Sequence, residues 1–220
     1  MKNKRTMMIT SVLCILPEIL SVILYQRLPQ QIAVHWNSAG EINGYLPKAM
    51  AAFGMPVVFL LLNIFSNISL LYDPRRENQP KALRAIGIWM VPLISLILVP
   101  VTLIMSLGVK FPITTFSFTL TGIVFIITGN YLPKSRRNYV TGVRLPWTFH
   151  DPDNWNKTNR LAGRMLVGGG FIILVSGFLH VTSVFHEVSV LIFIVILIVV
   201  IPFFYSFALY KKEQNTGGKI

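Results

Sequence analysis

Glu18 has the clearest capacity for chemistry in this chain, because it is the one acidic side chain set well inside a long apolar run. Hydrocarbon penalises a carboxylate, so an acid at such depth is a functional candidate by default. Pro17 precedes it and leaves the carbonyl of Leu13 without its helical N–H donor. Thr102, Ser117, Thr119 and Ser176 place hydroxyls at a similar depth in other apolar runs. Two readings stay open: a proton or ligand site inside a helix bundle, or a structural acid hydrogen-bonded to a neighbouring helix. Asn63 and Asn67 are four apart, so on a helix they share one face. They read as polar glue between helices.

His35, His180 and His186 lie toward the same side of the apolar runs, with Glu41 and Glu187. Imidazole and carboxylate are zinc ligands, but no pair has the spacing of a dedicated site. No metal and no other cofactor is expected. There is no nucleophile bracketed by a base and its orienter, no phosphate loop and no HExxH. An enzyme is therefore the least favoured class. The single cysteine, Cys14, lies in the first apolar run and excludes an internal disulfide. Gly168, Gly169, Gly170 and Gly177 suit close helix packing.

The elements that must position these residues are apolar and long. Of 220 residues, 53% are hydrophobic and 13% charged, and the mean hydropathy is +0.62. Soluble domains carry about a quarter charged residues. Six runs stand out: Thr6–Tyr25, Ala49–Leu71, Arg84–Leu107, Pro112–Leu132, Leu161–Thr182 and Val188–Tyr210. Each approaches the ~20 helical residues that cross a ~30 Å hydrocarbon core. The expected fold is all-α: an integral membrane bundle of about six transmembrane helices. The first run resembles a signal peptide, but Pro17 and Glu18 interrupt it and no small-residue cleavage site follows.

The net charge of +12 would suggest nucleic acid in a soluble protein. Here its distribution speaks of orientation instead. Seventeen Lys and Arg fall in the N-terminus, in loop 72–84, in loop 133–160 with the helix start after it, and in the tail. Only Arg27, Lys48 and Lys110 lie on the other side. The positive-inside rule then puts both termini in the cytoplasm of a multi-pass plasma-membrane protein. The bilayer is the expected partner, and direct nucleic-acid binding is not.

Two loops are long enough to hold structure. In the outer loop, Ile32, Val34 and Trp36 alternate with Ala33, His35 and Asn37, which suits a short extended piece. Asn37, Ser38, Gly40, Asn43 and Gly44 supply turn residues. In the inner loop, Asp151 can cap a helix whose first position is Pro152, with Asp153 at its positive end. Such a helix is expected to lie at the membrane surface, anchored by Trp155, before bending into the fifth span. The chain divides by this reading into 1–72 with the outer loop, 73–111 around the third helix, and 112–220 with three helices and the basic loop.

That basic loop carries a recognisable pattern. Gly129 and Asn130 close a helix; Asn138, Gly142, Val143, Arg144, Pro146, Trp147 and Thr148 follow; Trp155, Lys157, Thr158 and Arg160 lead into the next helix. The pattern resembles the signature of the SdpI family of bacterial membrane proteins. The outer loop is similar to a small domain of unknown function that often precedes it, through Leu28, Pro29, His35, Trp36, Asn37, Gly40, Gly44, Tyr45 and Lys48. The resemblance implies a non-enzymatic immunity role: protection against a secreted killing peptide. It further implies sensing of that peptide, with a transcriptional repressor held at the membrane. The alternative from another class is a small transporter or proton-coupled permease using Glu18. In the immunity reading, Trp36 and Tyr45 would meet the peptide outside. The basic loop would meet a cytoplasmic partner or anionic lipid.

Overall fold

The computed structural model describes residues 2–36, 41–179 and 184–217. Among these, six helices are long and apolar enough to cross a membrane. The chain forms two compact units, Met1–Tyr72 with Arg84–Ile113 and Asp73–Leu83 with Thr114–Ile220.

In the first unit, the opening span is broken into α1 (Lys2–Ile15) and α2 (Glu18–Leu24). Pro17 cannot donate a backbone bond, so α1 stops there. The Ile19 N–H bonds the Leu16 carbonyl at 3.2 Å, and the Cys14 carbonyl at the end of α1 receives the Ser95 hydroxyl at 2.8 Å. A second proline has a similar consequence. Pro56, in the first turn of α3 (Met55–Leu71), lacks the N–H that would reach the Ala52 carbonyl. Ser21 of α2 donates its hydroxyl to that carbonyl at 2.7 Å. Ala52 belongs to a π-helical turn, Met50–Gly54, which leads into α3. Most of α4 (Lys81–Ser106) completes this unit.

Between α2 and α3 lies a hairpin of two antiparallel strands, β1 (Gln31–Trp36) and β2 (Ile42–Pro47). The extended piece expected at 32–36 is β1. Its partner includes Asn43 and Gly44, which by type suggest a turn. Gly44 fits the strand because a Cβ there would stand 2.7 Å from that of His35. The hairpin is anchored from below: Leu28 and Ile32 are buried with Ala51, Ala52, Val99 and Leu103.

The second unit holds α5 (Ile113–Tyr131, from Thr114), the short α6 (Pro146–His150), α7 (Pro152–Leu179) and α8 (Val184–Gly217). The α7 start is capped as its sequence suggests. Asp151 accepts the N–H groups of Asp153 at 2.7 Å and Asn154 at 2.9 Å, satisfying donors a helix start leaves free. Helix α7 runs unbroken from Pro152 into the apolar stretch of the fifth span. Trp155 is fully buried rather than an interfacial anchor.

A glycine seam joins α5 to α7. A Cβ on Gly129 would stand 2.6 Å from the Gly163 carbonyl oxygen, and one on Gly122 2.8 Å from that of Gly170. The approach is reciprocal: Cβ atoms on Gly163 and Gly170 would meet the carbonyl oxygens of Gly129 and Gly122 at 2.7 and 2.8 Å. Both pairs are seven residues apart, a two-turn repeat that keeps one face toward its partner. Of the glycine triplet, only Gly170 serves this seam; Gly169 faces Ile194 and Ile198 of α8, and Gly168 faces open space. Gly129→Leu or Gly163→Leu should therefore overpack the seam and cost ~1–3 kcal/mol or more. Gly168→Ala should be neutral or stabilising by up to ~1 kcal/mol. Thermal unfolding in detergent would test this contrast; equal midpoints for Gly129→Leu and the parent would dismiss the seam.

Candidate functional site

The residues of the inner motif converge on a buried polar knot in the second unit. Its centre is the Asn138 carboxamide, which has no solvent exposure. The carboxamide oxygen accepts the Val140 N–H at 2.9 Å, the Thr141 N–H at 2.6 Å and the Thr141 hydroxyl at 3.1 Å. Its nitrogen donates to the Ser135 hydroxyl at 2.9 Å, the Arg136 carbonyl at 2.8 Å and the Thr141 carbonyl at 3.0 Å. An amide is the side chain that offers two donors and an acceptor with two lone pairs in one plane. Asp would lack the donors, and Leu would lack both.

Helix α7 holds the knot from one side. The Trp155 indole N–H donates to the Ser135 carbonyl at 2.7 Å. Asn159 accepts the Val143 N–H at 2.8 Å and donates to the Trp155 carbonyl at 2.9 Å. Gly142 passes between these side chains at φ +118°. A Cβ there would lie 2.8 Å from the Asn159 oxygen and 2.9 Å from the Trp155 ring. Glycine is required at 142 for both backbone conformation and space.

The turn onto α6 is closed by Thr148, whose hydroxyl accepts the Leu145 N–H at 3.0 Å and lies within bonding distance of the Val143 and Leu145 carbonyls. Pro146 occupies the first turn of α6, where a missing N–H costs nothing. Trp147 lies against α8: its indole N–H donates to the Ser206 hydroxyl at 2.8 Å, and its ring stacks on Tyr210 with centroids 5.6 Å apart. Ser206 also donates to the Asn154 carboxamide at 2.7 Å and receives its amide on the backbone carbonyl at 2.9 Å. Thr158 donates to the same carboxamide oxygen at 2.9 Å.

A third piece comes from the loop before α4. The buried Asp73 accepts the Arg75 N–H at 2.8 Å, the Gln79 amide at 2.6 Å and the Tyr139 N–H at 3.2 Å. Asn78 donates to the Arg137 carbonyl at 2.7 Å. Arg137 donates to the Phe149 carbonyl at 3.0 Å, and Arg144 donates to the Tyr139 carbonyl. These two cations brace the loop. Lys157 makes only an exposed pair with Asp153 at 2.8 Å, a kind of contact worth little. Asn130, Arg136, Arg160 and Arg164 are exposed, and the three arginine side chains have no partner among the described residues.

The outer motif falls in the first unit. His35 is exposed, with Nδ1 2.5 Å from the Asn43 oxygen across the hairpin. Tyr45 is 53% exposed, and Trp36 is partly buried over a cavity. Lys48 sits over the Tyr25 ring at 4.5 Å. Asn37 and Gly40 of the motif lie outside the described residues, as does His180; the side chains of His186 and Glu187 do too. No group of three potential metal ligands occurs among the described residues.

The intramembrane polar residues separate. Asn63 donates to the hydroxyls of Thr10 and Ser11 at 3.2 Å each. Asn67 donates to the Asn63 carboxamide oxygen and backbone carbonyl at 2.9 Å each. This ladder ties α3 to α1. Glu18 takes no part in it: it lines a groove with Val12, Ile15, Leu16, Ile19 and Val22, and it has no hydrogen-bond or ionic partner among the described residues. Sequence reasoning missed Asp73, Asn78, Gln79, Asn154, Asn159 and Ser206. The local signal was there for two of them, since Asn154 and Asn159 flank motif positions on one turn-and-a-half of α7.

Six apolar spans, a buried polar platform at the start of α7 and a hairpin between the first two spans define a multi-pass α-helical membrane protein. Residues 134–206 match the SdpI/YfhL protein family, a stretch that ends on Ser206, the residue holding Trp147 and Asn154. Residues 12–60 match a domain of unknown function, DUF1648. The chain is 32% identical over 196 residues to a Bacillus subtilis (strain 168) protein named Immunity protein SdpI, covering 89% of this chain and 91% of that relative. It belongs to the SdpI family. No solved structure matches it significantly.

The knot yields a ranking. Asn138→Ala strands several buried backbone groups and should cost ~3 kcal/mol. Arg144→Gln removes one exposed bond and should cost under ~1 kcal/mol. Melting of both purified variants measures the difference, and similar losses would show that the carboxamide is not the centre of the loop.

Proposed function

We propose that this chain is a non-enzymatic immunity protein that protects its cell from a secreted killing peptide. The observation that carries the reading is its 32% identity, along 89% of its length, to the relative named for immunity. The hairpin supports it physically. His35 and Tyr45 stand exposed beside Trp36, an aromatic and hydrogen-bonding face suited to an amphipathic peptide. The finer reading is that the protein also senses the peptide and then holds a transcriptional repressor at the membrane. The unpartnered cations Arg136, Arg160 and Arg164 offer such a partner an electrostatic face. Proton-coupled transport has less support, because Glu18 has no hydrogen-bond or ionic partner among the described residues.

Deletion of the gene should make the strain die in co-culture with its parent. A plasmid copy should restore survival, and so should Glu18→Gln, which keeps the shape and hydrogen bonding of the acid without its charge. Tyr45→Ala should express normally yet protect at least tenfold less well, a loss of ~1.4 kcal/mol in peptide binding. Survival of the deletion strain beside its parent would end the immunity reading. A proton flux abolished by Glu18→Gln would replace it with transport.

The charge distribution supports a cytoplasmic position for both termini. In a Cys14→Ala background, Gln30→Cys should react with an impermeant thiol reagent in intact cells, and Asn215→Cys only after lysis. Reaction of both in intact cells would refute that orientation.

A further inference from the structure

Beneath the hairpin lies a cavity of about 430 Å³ within the first unit, inside the ~300–1,000 Å³ range of small-ligand sites. Val34, Trp36 and Leu46 form its roof, and Met50, Met55 and Phe59 belong to its wall. Thr102 supplies the one hydroxyl of the lining. Neither that hydroxyl nor the Trp36 indole N–H bonds a described residue. Two separate polar groups offer too few partners to hold water through this volume, whereas an unfilled void forfeits dispersion contacts along its lining. The wall is adaptable, since methionine conforms to varied apolar shapes.

The mouth identifies the occupant. Met50 and Val58 at its edge are 59% and 54% exposed. Both lie in the first turns of the second spanning helix, Met50–Leu71, so the opening faces hydrocarbon. A peptide arriving from water would first meet His35 and Tyr45 on the exposed strands. Lys110 is exposed and unpartnered among the described residues, three positions before Ile113 of the lining. We propose that this cavity holds one acyl chain of a membrane phospholipid on the hairpin side, with Lys110 meeting its phosphate. The inference stands independently of the immunity reading.

Gly54 provides a clean test. It lines the cavity, and a Cβ built there meets nothing within 4 Å, so Gly54→Phe can fill the space without displacing packed atoms. The full chain is reconstituted in vesicles containing phosphatidylcholine with a diazirine near the end of one acyl chain. After irradiation, adducts are mapped by mass spectrometry. Expected are adducts on Met50, Met55 or Phe59 that fall several-fold in Gly54→Phe and in the mouth variant Val58→Trp. Adducts on Phe65, 71% exposed on the same helix, should stay constant as a measure of surface lipid. Lys110→Gln should lower cavity labelling by the phospholipid but not by a diacylglycerol of the same chains. Cavity adducts unchanged in both filled variants would overturn the proposal, as would labelling by a photoreactive apolar peptide but not by the lipid. Equal labelling by phospholipid and diacylglycerol in the parent would remove Lys110 and the phosphate from it.

Discussion

A carbonyl or amide left unpaired in hydrocarbon costs several kcal/mol, and no water is present to relieve it. Much of this structure follows from meeting that constraint where the chain departs from a regular helix. Pro56 removes the helical donor that would reach the Ala52 carbonyl, and Ser21 supplies a hydroxyl to it; where α1 breaks before Pro17, Ser95 supplies a hydroxyl to the Cys14 carbonyl. The same two bonds tie α4 to α1 and α2 to the π-helical turn. Repair of the breaks and packing of the unit are thus one set of interactions. The Asn63–Asn67 ladder extends the principle to the side-chain amide nitrogens, each of which donates inside the unit, while the buried Asn67 Oδ1 has no partner among the described residues.

The loop from 133 to 150 meets the constraint differently. It has little regular structure and lies next to spanning helices, so its backbone groups need dedicated partners. Asn138, Asn159, Trp155 and Thr148 supply them, and Asp73 adds a carboxylate from another loop. This gives a physical reason for several residue types of the motif: Asn138, Thr148 and Trp155 each match a particular donor or acceptor, and Gly142 a lack of Cβ. Two of its cations, Arg137 and Arg144, are also bracing elements. Arg136, Arg160 and Arg164 are exposed and take no part in this bracing.

The first unit's hairpin has a different character. It has few polar obligations and is held by Leu28 and Ile32 on a small apolar core. The exposed edge presents His35 and Tyr45, while the underside covers an apolar cavity. The proposed peptide face and the proposed acyl-chain cavity thus lie on opposite surfaces of one two-stranded element.

Hydropathy, charge alternation and the Asp151 cap were legible without coordinates, because each depends on residues close together along the chain. They yielded the spans, the all-α membrane fold and the start of α7. The extended reading of 32–36 succeeded for the same reason. The mistaken anchor role of Trp155 came from treating the residue by type, as an amphipathic side chain; it is buried, and its acceptor is the carbonyl of Ser135, 20 residues away. Partners at greater separation were equally invisible: Asn63 to Thr10 across 53 residues, Asp73 to Tyr139 across 66 and Asn154 to Ser206 across 52. The glycine seam needed both helices before Gly122 and Gly170 could be matched. Glu18 shows the limit most plainly. Its depth followed from counting residues, but its lack of any described partner depends on which face of α2 turns inward, and only packing against the other helices decides that.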